Sequence, residues 1–496
     1  MFLFVLFFMF VYLFIATCYF PIRPMAVVHG IPSAAMSKEI SDGEKEREAQ
    51  QAKDLGEEGL KALAKTLETA MEENEHPIPE DILTSLPVPD IEKVPSIPLF
   101  TARLSPSSNS LDMTVVPESV RGVSAEYSEA IIDGLKKDSK LTSGSFPLDL
   151  THIDSAFVFA AVGIDTSPLT KEQRLYLPIL EEVMFKLPAT LENGEKLSKE
   201  QFVNTIQDET VSYSSGIGLL GGSIPQMSYI SVQVEADGFA KGMEWIRRAL
   251  YLTNITTEAV TTAVKKQISE IPPQIRHGPS VVATVAAELN YDPEKSNSLA
   301  CNVLHQKPFL AKIYEGIESG DDSIQDVVKE LDSIRNILFQ TSNMHAFVAA
   351  NLKSIPHLLD TLVSSLTRTD EHKVDAEGRF INNVSASSVL RPEKKSSGGE
   401  GAVVALSAVE SGFLNIIAPG IKAYDANRAS LLVAIEYLTA LEGDFWVKLR
   451  GAGLTYSYSI GDSTDSGLLK FSLFKCTDVP AAFETASNII AQVSYV

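Results

Sequence analysis

Apolar and polar positions in the middle of the chain recur with two periods, and the switches between them outline a domain. Residues 156–164 form a run of small and branched apolar side chains that predicts a strand. Leu175, Ile179, Leu180, Val183 and Met184 fall on one face of a helix predicted over 169–187. Ser198-Lys199-Glu200-Gln201 opens a second helix, 198–210, like a capping box, in which the Ser and Gln side chains satisfy each other's free backbone N–H groups. Residues 213–220 and 226–236 alternate with a period of two and predict paired strands. Helices are predicted over 240–252, 257–270, 279–289, 323–339 and 355–366, with a strand over 345–351. These elements make an α+β domain over residues 120–370.

A second unit occupies residues 402–496. Strands are predicted over 402–408 and 412–418, then a helix over 425–441. A short second helix ends at Arg450, Gly451-Ala452-Gly453 turns the chain, and strands follow over 454–460 and 467–476. A helix over 480–493 closes the sequence. Two layers are needed to bury an apolar sheet face, and this unit is expected to lack its last layer.

Three stretches upstream and between have other characters. Residues 1–24 open with twenty uncharged, almost wholly apolar residues, long enough to span a bilayer. No basic residue precedes them, unlike a signal peptide. They read either as a membrane anchor or as the product of a misassigned start. Residues 25–76 carry Glu, Lys, Ala, Gln and Leu, with Ser33 as a helix cap and Leu55, Leu60, Leu63 and Leu67 in one stripe. Gly56 and Gly59 interrupt the run, which predicts a charged helical hairpin acting as a linker. Residues 77–119 are rich in proline and predict an extended connection with at most short helices or edge strands. Residues 371–401 end in Ser-Ser-Gly-Gly-Glu-Gly and predict a flexible linker.

Charge and cysteine usage narrow the function. The net charge of −22 argues against nucleic-acid binding, which needs a basic surface, and would suit cationic peptides. Cys18, Cys301 and Cys476 are widely spaced, odd in number and form no C-x-x-C, so neither a disulfide framework nor a zinc–thiolate site is expected. That usage fits a reducing compartment.

Candidate chemistry is sparse. The eight histidines include no H-x-x-E-H or H-E-x-x-H, so no zinc motif of either orientation is present. His152 and His345 lie in or beside strands and read as packed residues. There is no G-x-S-x-G elbow and no P-loop. Gly216-Ile217-Gly218 with Gly221-Gly222 falls between two strands and reads as a hairpin needing positive φ. Arg450 and Tyr456 remain. The first is a cation at a helix end, where the dipole favours it, and the second is an aromatic on a strand. These physical roles would suffice. Alternatively, a rigid turn projects a guanidinium and a phenol at one point, where both can donate hydrogen bonds to a peptide carbonyl or an oxyanion.

Several stretches, in order, resemble one family. Val433-Ala434-Ile435-Glu436-Tyr437-Leu438 through Gly443, then Trp446 and Arg450-Gly451-Ala452-Gly453-Leu454-Thr455-Tyr456, is similar to the last domain of pitrilysin/insulysin-type zinc metallopeptidases, in their presequence-protease-like branch. Glu410-Ser411-Gly412-Phe413-Leu414-Asn415 resembles the first strand region of that domain. Leu55-Gly56-Glu57-Glu58-Gly59-Leu60 resembles the hairpin joining the family's two halves. Ile164-Asp165-Thr166-Ser167 and Asp208-Glu209-Thr210-Val211-Ser212-Tyr213 resemble its third domain.

The resemblance implies two related α/β sandwich domains with helices on one sheet face, preceded by the hairpin. It implies that Arg450 and Tyr456 bind the peptide substrate, and that no residue here is catalytic. Zinc belongs to the full-length family and not to this chain, so an N-terminal zinc-bearing half is expected in trans. Ser457 departs from the family's frequent Gly after the tyrosine. The implied location is cytoplasmic or mitochondrial, with a single membrane pass only if residues 1–20 are genuine. The other expectation is a non-catalytic binding or scaffold protein.

Overall fold

The computed structural model describes residues 33–493, except 86, 88–89, 94–96, 107, 109, 117–122, 139–145, 220–222, 321, 368–388, 392–398 and 465. The apolar segment 1–20 and most of the linker 371–401 lie outside the described residues. Among the described residues no helix is long and apolar enough to cross a membrane. The chain divides into two units, Met1–Pro95 and Ser96–Val496.

In the first unit Ser33 caps the helix Ala34–Asn74, its hydroxyl oxygen accepting from the Met36 N–H at 3.2 Å. Gly56 breaks the helical path at φ 64°, a left-handed conformation that glycine adopts without a Cβ clash. The interruption expected in this stretch is therefore present, as a kink. No residue of the helix is buried, and Leu60, Leu63 and Leu67 are exposed.

The second unit is built on a mixed seven-stranded sheet. Its strands are β1 (Phe100–Leu104), β2 (Leu111–Asp112), β3 (Leu148–His152), β4 (Phe157–Asp165), β5 (Ser212–Leu219), β6 (Ser223–Glu235) and β7 (Met344–Ala350), in spatial order β2-β1-β3-β7-β4-β6-β5. Only the β3–β7 pair is parallel. The sheet thus recruits β1 and β2 from the stretch expected to be a connection. Phe100, Ala102 and Leu104 are buried on one face of β1, which pairs Phe100 with His152 and Leu104 with Leu148. The domain therefore begins before residue 120.

One sheet face is covered by helices. Val158, Ala160, Val162 and Ile164 of β4, Ile230, Val232 and Val234 of β6, and Ala346 and Val348 of β7 join one continuous core. The helix Phe239–Arg247 lies on β6 and packs against Leu358–Leu366. Gly242 permits the close approach, since a Cβ there would stand 2.9 Å from Val234 Cγ1. The Ser198 capping box forms as expected, with Gln201 as its partner. The single helix expected over 169–187 is instead two, Lys171–Arg174 and Leu177–Val183. Pro178 opens the second because proline fits a first helical turn and not an interior. A helix absent from the sequence reading, Val303–Ser319, packs on Thr257–Ile275.

A smaller three-stranded sheet follows: β8 (Gly412–Pro419), β9 (Thr455–Ser463) and β10 (Leu468–Cys476), in order β8-β10-β9 and wholly antiparallel. This repeats the order β4-β6-β5 of the larger sheet, with an entering strand, then a hairpin whose second strand is central. The strand expected over 402–408 does not form; Val403 and Val404 are exposed, with no strand partner among the described residues. An apolar run becomes a strand only where an edge can satisfy its backbone. The helix Arg428–Thr439 forms, yet none of its residues is buried.

The small sheet touches the large domain through the helix Gly278–Asn290, which packs on β8. A Cβ on Gly278 would come within 2.2 Å of the Phe413 ring. The expected linker is also pinned where it is described. Asp292 N–H donates to the Val389 carbonyl at 2.7 Å, Arg391 N–H to that of Asn290 at 3.0 Å, and Val389 and Leu390 are buried.

Candidate functional site

Arg450 and Tyr456 are brought together by a wide helical turn running straight into a strand. Phe445 and Leu449, four residues apart, point inward and are fully buried with Leu473, Cys476, Ala482, Ala486 and Ile489. The same spacing places Trp446 and Arg450 together on the outer side. The turn Trp446–Gly451 is a π-helix, with Ala452 N–H donating to the Val447 carbonyl at 3.1 Å and Leu454 N–H to that of Leu449 at 2.9 Å. Single π turns are frequent at functional sites. Gly453, at φ 72°, then reverses the chain into β9.

The arginine lies against two rings. Its guanidinium carbon stands 4.2 Å from the Trp446 ring centroid and 5.1 Å from that of Tyr456. The aromatic faces orient the cation without neutralising it. Arg450 is exposed, Tyr456 is 58% exposed, and the arginine has no ion pair among the described residues. Two other cations of the domain are paired, Lys448 with Asp444 at 3.2 Å and Arg428 with Asp462 at 3.3 Å. Burial pushes the Tyr458 phenol up, and the charge of Arg450 pulls it partly back. The arrangement can hold an acceptor oxygen from a ligand, because the guanidinium has five N–H donors that its ring contacts leave unused.

A residue that the sequence reading did not single out stands beside the pair. The Lys475 ammonium is 5.7 Å from the Tyr456 ring centroid. Nothing in its sequence context announces this, because lysine on a strand is an ordinary solvent-facing residue.

Other polar clusters serve the large domain. His152 is packed, as expected, and its Nδ1 accepts from the Leu352 N–H at 3.0 Å. Burial lowers its pKa. His345 is buried and stacked on Phe347, its Nε2 3.1 Å from Asp149 Oδ2. Arg103 grips the same carboxylate with Nε at 2.6 Å and Nη2 at 2.8 Å. Burial opposes ionisation of Asp149, but hydrogen bonds from Arg103 and His345 outweigh it and hold the carboxyl below the usual range. Ser228 donates to Glu181 Oε1, whereas buried Oε2 has no hydrogen-bond partner among the described residues. Burial pushes Glu181 up to about 7 and the neighbouring Cys301 thiol up to about 12. Strands β5 and β6 pair antiparallel as expected, with Gly218 at φ 82°.

Among the described residues no group of three or more His, Cys, Asp or Glu side chains could hold a metal ion.

No protein-family model matches the chain. An uncharacterized protein of Schizosaccharomyces pombe is 24% identical over 472 residues, covering 93% of this chain and 43% of that protein. The chain thus spans less than half the length of that relative. Among solved structures, a protease from Helicobacter pylori is similar over 71% of this chain and 77% of its own, with a TM-score of 0.50 and 10% identity. A peptidase M16 inactive domain from Pseudomonas fluorescens is similar over 70% and 76%, with a TM-score of 0.45 and 9% identity. The likeness to the Helicobacter pylori protease is one of fold: the two share a mixed α+β architecture.

Proposed function

We propose that this chain is the peptide-holding half of a zinc metallopeptidase of the pitrilysin/insulysin type, in its presequence-protease-like branch. It binds peptide through Arg450 and Tyr456 and does not cleave alone. The zinc-bearing half is a partner in trans, and the compartment is the cytosol or the mitochondrial matrix. The observation that carries this reading is the exposed Arg450 guanidinium, fixed between Trp446 and Tyr456 with no carboxylate beside it among the described residues. An arginine that only finished a helix would need no aromatic clamp.

The test is binding of a fluorescent peptide by anisotropy, with cleavage assayed with and without a zinc-bearing N-terminal half. Arg450→Ala should weaken binding by about ten- to a hundredfold, since a charge-assisted hydrogen bond contributes about 1.5–3 kcal/mol. Cleavage by this chain alone, or unchanged binding by the alanine variant, would refute the proposal.

A second reading, a non-catalytic scaffold, draws on the helix Arg428–Thr439 and the turn after it. Val433, Tyr437 and Leu441 there are 69%, 66% and 77% exposed. An apolar surface of this kind marks a contact site. It is favoured if the chain binds a protein partner through that helix while Arg450→Ala changes nothing.

A further inference from the structure

Lys475 occupies a backbone position that its side chain does not favour. Its φ is 55°, in the left-handed region, where a residue with a Cβ is disfavoured by about 1–2 kcal/mol relative to glycine. The cause is a bulge. Strand β8 pairs Gly412 with Cys476 and Phe413 with Phe474, so Lys475 is the extra residue on β10. Strand β9 pairs Thr455 with Cys476 and Ser457 with Phe474, which sets Lys475 across from Tyr456. Bulges re-aim side chains and recur beside active sites, and local strain of this kind collects at ligand clamps. Here the re-aimed side chain is a cation, with its ammonium 5.7 Å from the Tyr456 ring and 5.7 Å from the Phe474 ring.

Two cations therefore converge on one phenol, Arg450 at 5.1 Å and Lys475 at 5.7 Å from its ring centroid. Both are exposed, and neither has an ion pair among the described residues. The chain as a whole has 64 acidic against 42 basic side chains, so carboxylates are plentiful to neutralise both. A peptide carbonyl offers one uncharged oxygen, which a single arginine can satisfy. A carboxylate offers two charged oxygens with about four acceptor sites, which match an arginine fork, an ammonium and a phenolic O–H.

We infer that Lys475 is a specificity residue of this site, and that the group seated by Arg450, Lys475 and Tyr456 is a peptide carboxylate, from the C-terminus or from an acidic side chain. This rests on the peptide-binding reading above. The acidic bulk of the protein attracts a basic peptide body from a distance. The local cations capture its carboxylate at contact, so the two fields together orient the peptide.

The test uses the full chain and three labelled peptides of one neutral sequence: a free acid, its C-terminal amide, and the amide with one internal Glu. Wild type should bind the free acid, the internal-Glu amide or both about tenfold more tightly than the plain amide, the equivalent of one charge-assisted hydrogen bond. Which of the two is preferred identifies the source of the carboxylate. Lys475→Asn suits a positive φ and keeps the fold. It should erase the preference for the carboxylate peptides over the plain amide, and Lys475→Arg should restore it. If wild type binds all three peptides equally, or Lys475→Asn retains the preference, the carboxylate inference is overturned. Peptide binding that still depends on Arg450 in that case leaves the broader reading standing. Absence of binding to all three peptides overturns both.

Discussion

Glu181 offers a sharp test of the packing described above. Its Oε2 is buried without a hydrogen-bond partner among the described residues, and burial raises its pKa from 4.5 to about 7. The unfolded chain returns the group to its ordinary value, so between the two the folded state holds more protons. Stability must then fall as pH rises through that window. Raising the pKa from 4.5 to about 7 corresponds to about 3 kcal/mol at most. The substitution Glu181→Gln keeps an acceptor for Ser228 and imitates the protonated acid at all pH values. Urea unfolding of both proteins should give stabilities within about 1 kcal/mol at pH 5. At pH 8 the Gln variant should be more stable by about 3 kcal/mol. The background titration of other groups cancels in the difference. A gap that stays constant across the range, or one that favours wild type at pH 8, would show that the carboxylate is solvated and the reasoning wrong.

Two further outcomes follow from other contacts. Leu449→Ala removes a fully buried anchor from a small core and should destabilise the small domain by about 2–5 kcal/mol, seen as faster amide exchange in β9 and β10 with β3, β4 and β7 unchanged. The Asp149 carboxyl is held below its ordinary pKa, so its stabilisation is present above the unfolded value and is lost as pH falls through the folded one. Arg103→Met should therefore cost on the order of 1 kcal/mol near neutrality, discounted for the partial exposure of Arg103, and the deficit should shrink below about pH 4 in acid titrations followed by circular dichroism.

The sequence was informative where local chemistry decides and silent where distant partners do. The Ser198–Gln201 capping box could be read because both members lie within one turn. The β5–β6 and β9–β10 hairpins could be read because alternation and turn residues are both local. Strand β1 could not, because five residues flanked by prolines become a strand only when β3 supplies the ladder. The opposite error at 402–408 has the same origin, an apolar run left without a partner edge among the described residues. At the site, the Gly-containing turn left two readings of Arg450 and Tyr456 open, separate structural roles or a shared point, and the guanidinium lies 5.1 Å from the Tyr456 ring centroid. Lys475 was invisible, since a bulge is created by two strands pairing out of step and leaves no mark on the bulged residue itself.

The helix Gly278–Asn290 holds the small domain at both ends. Its first residue presses on Phe413, and the residues at and just beyond its last turn, Asn290, Tyr291 and Asp292, clip the incoming connection at Val389–Arg391. The clip fixes the chain beside the surface on which the small domain docks, so the entry into that domain is set by hydrogen bonds as well as by packing. The Arg450 turn belongs wholly to the small domain, so undocking from the helix would carry it along with its ring contacts intact.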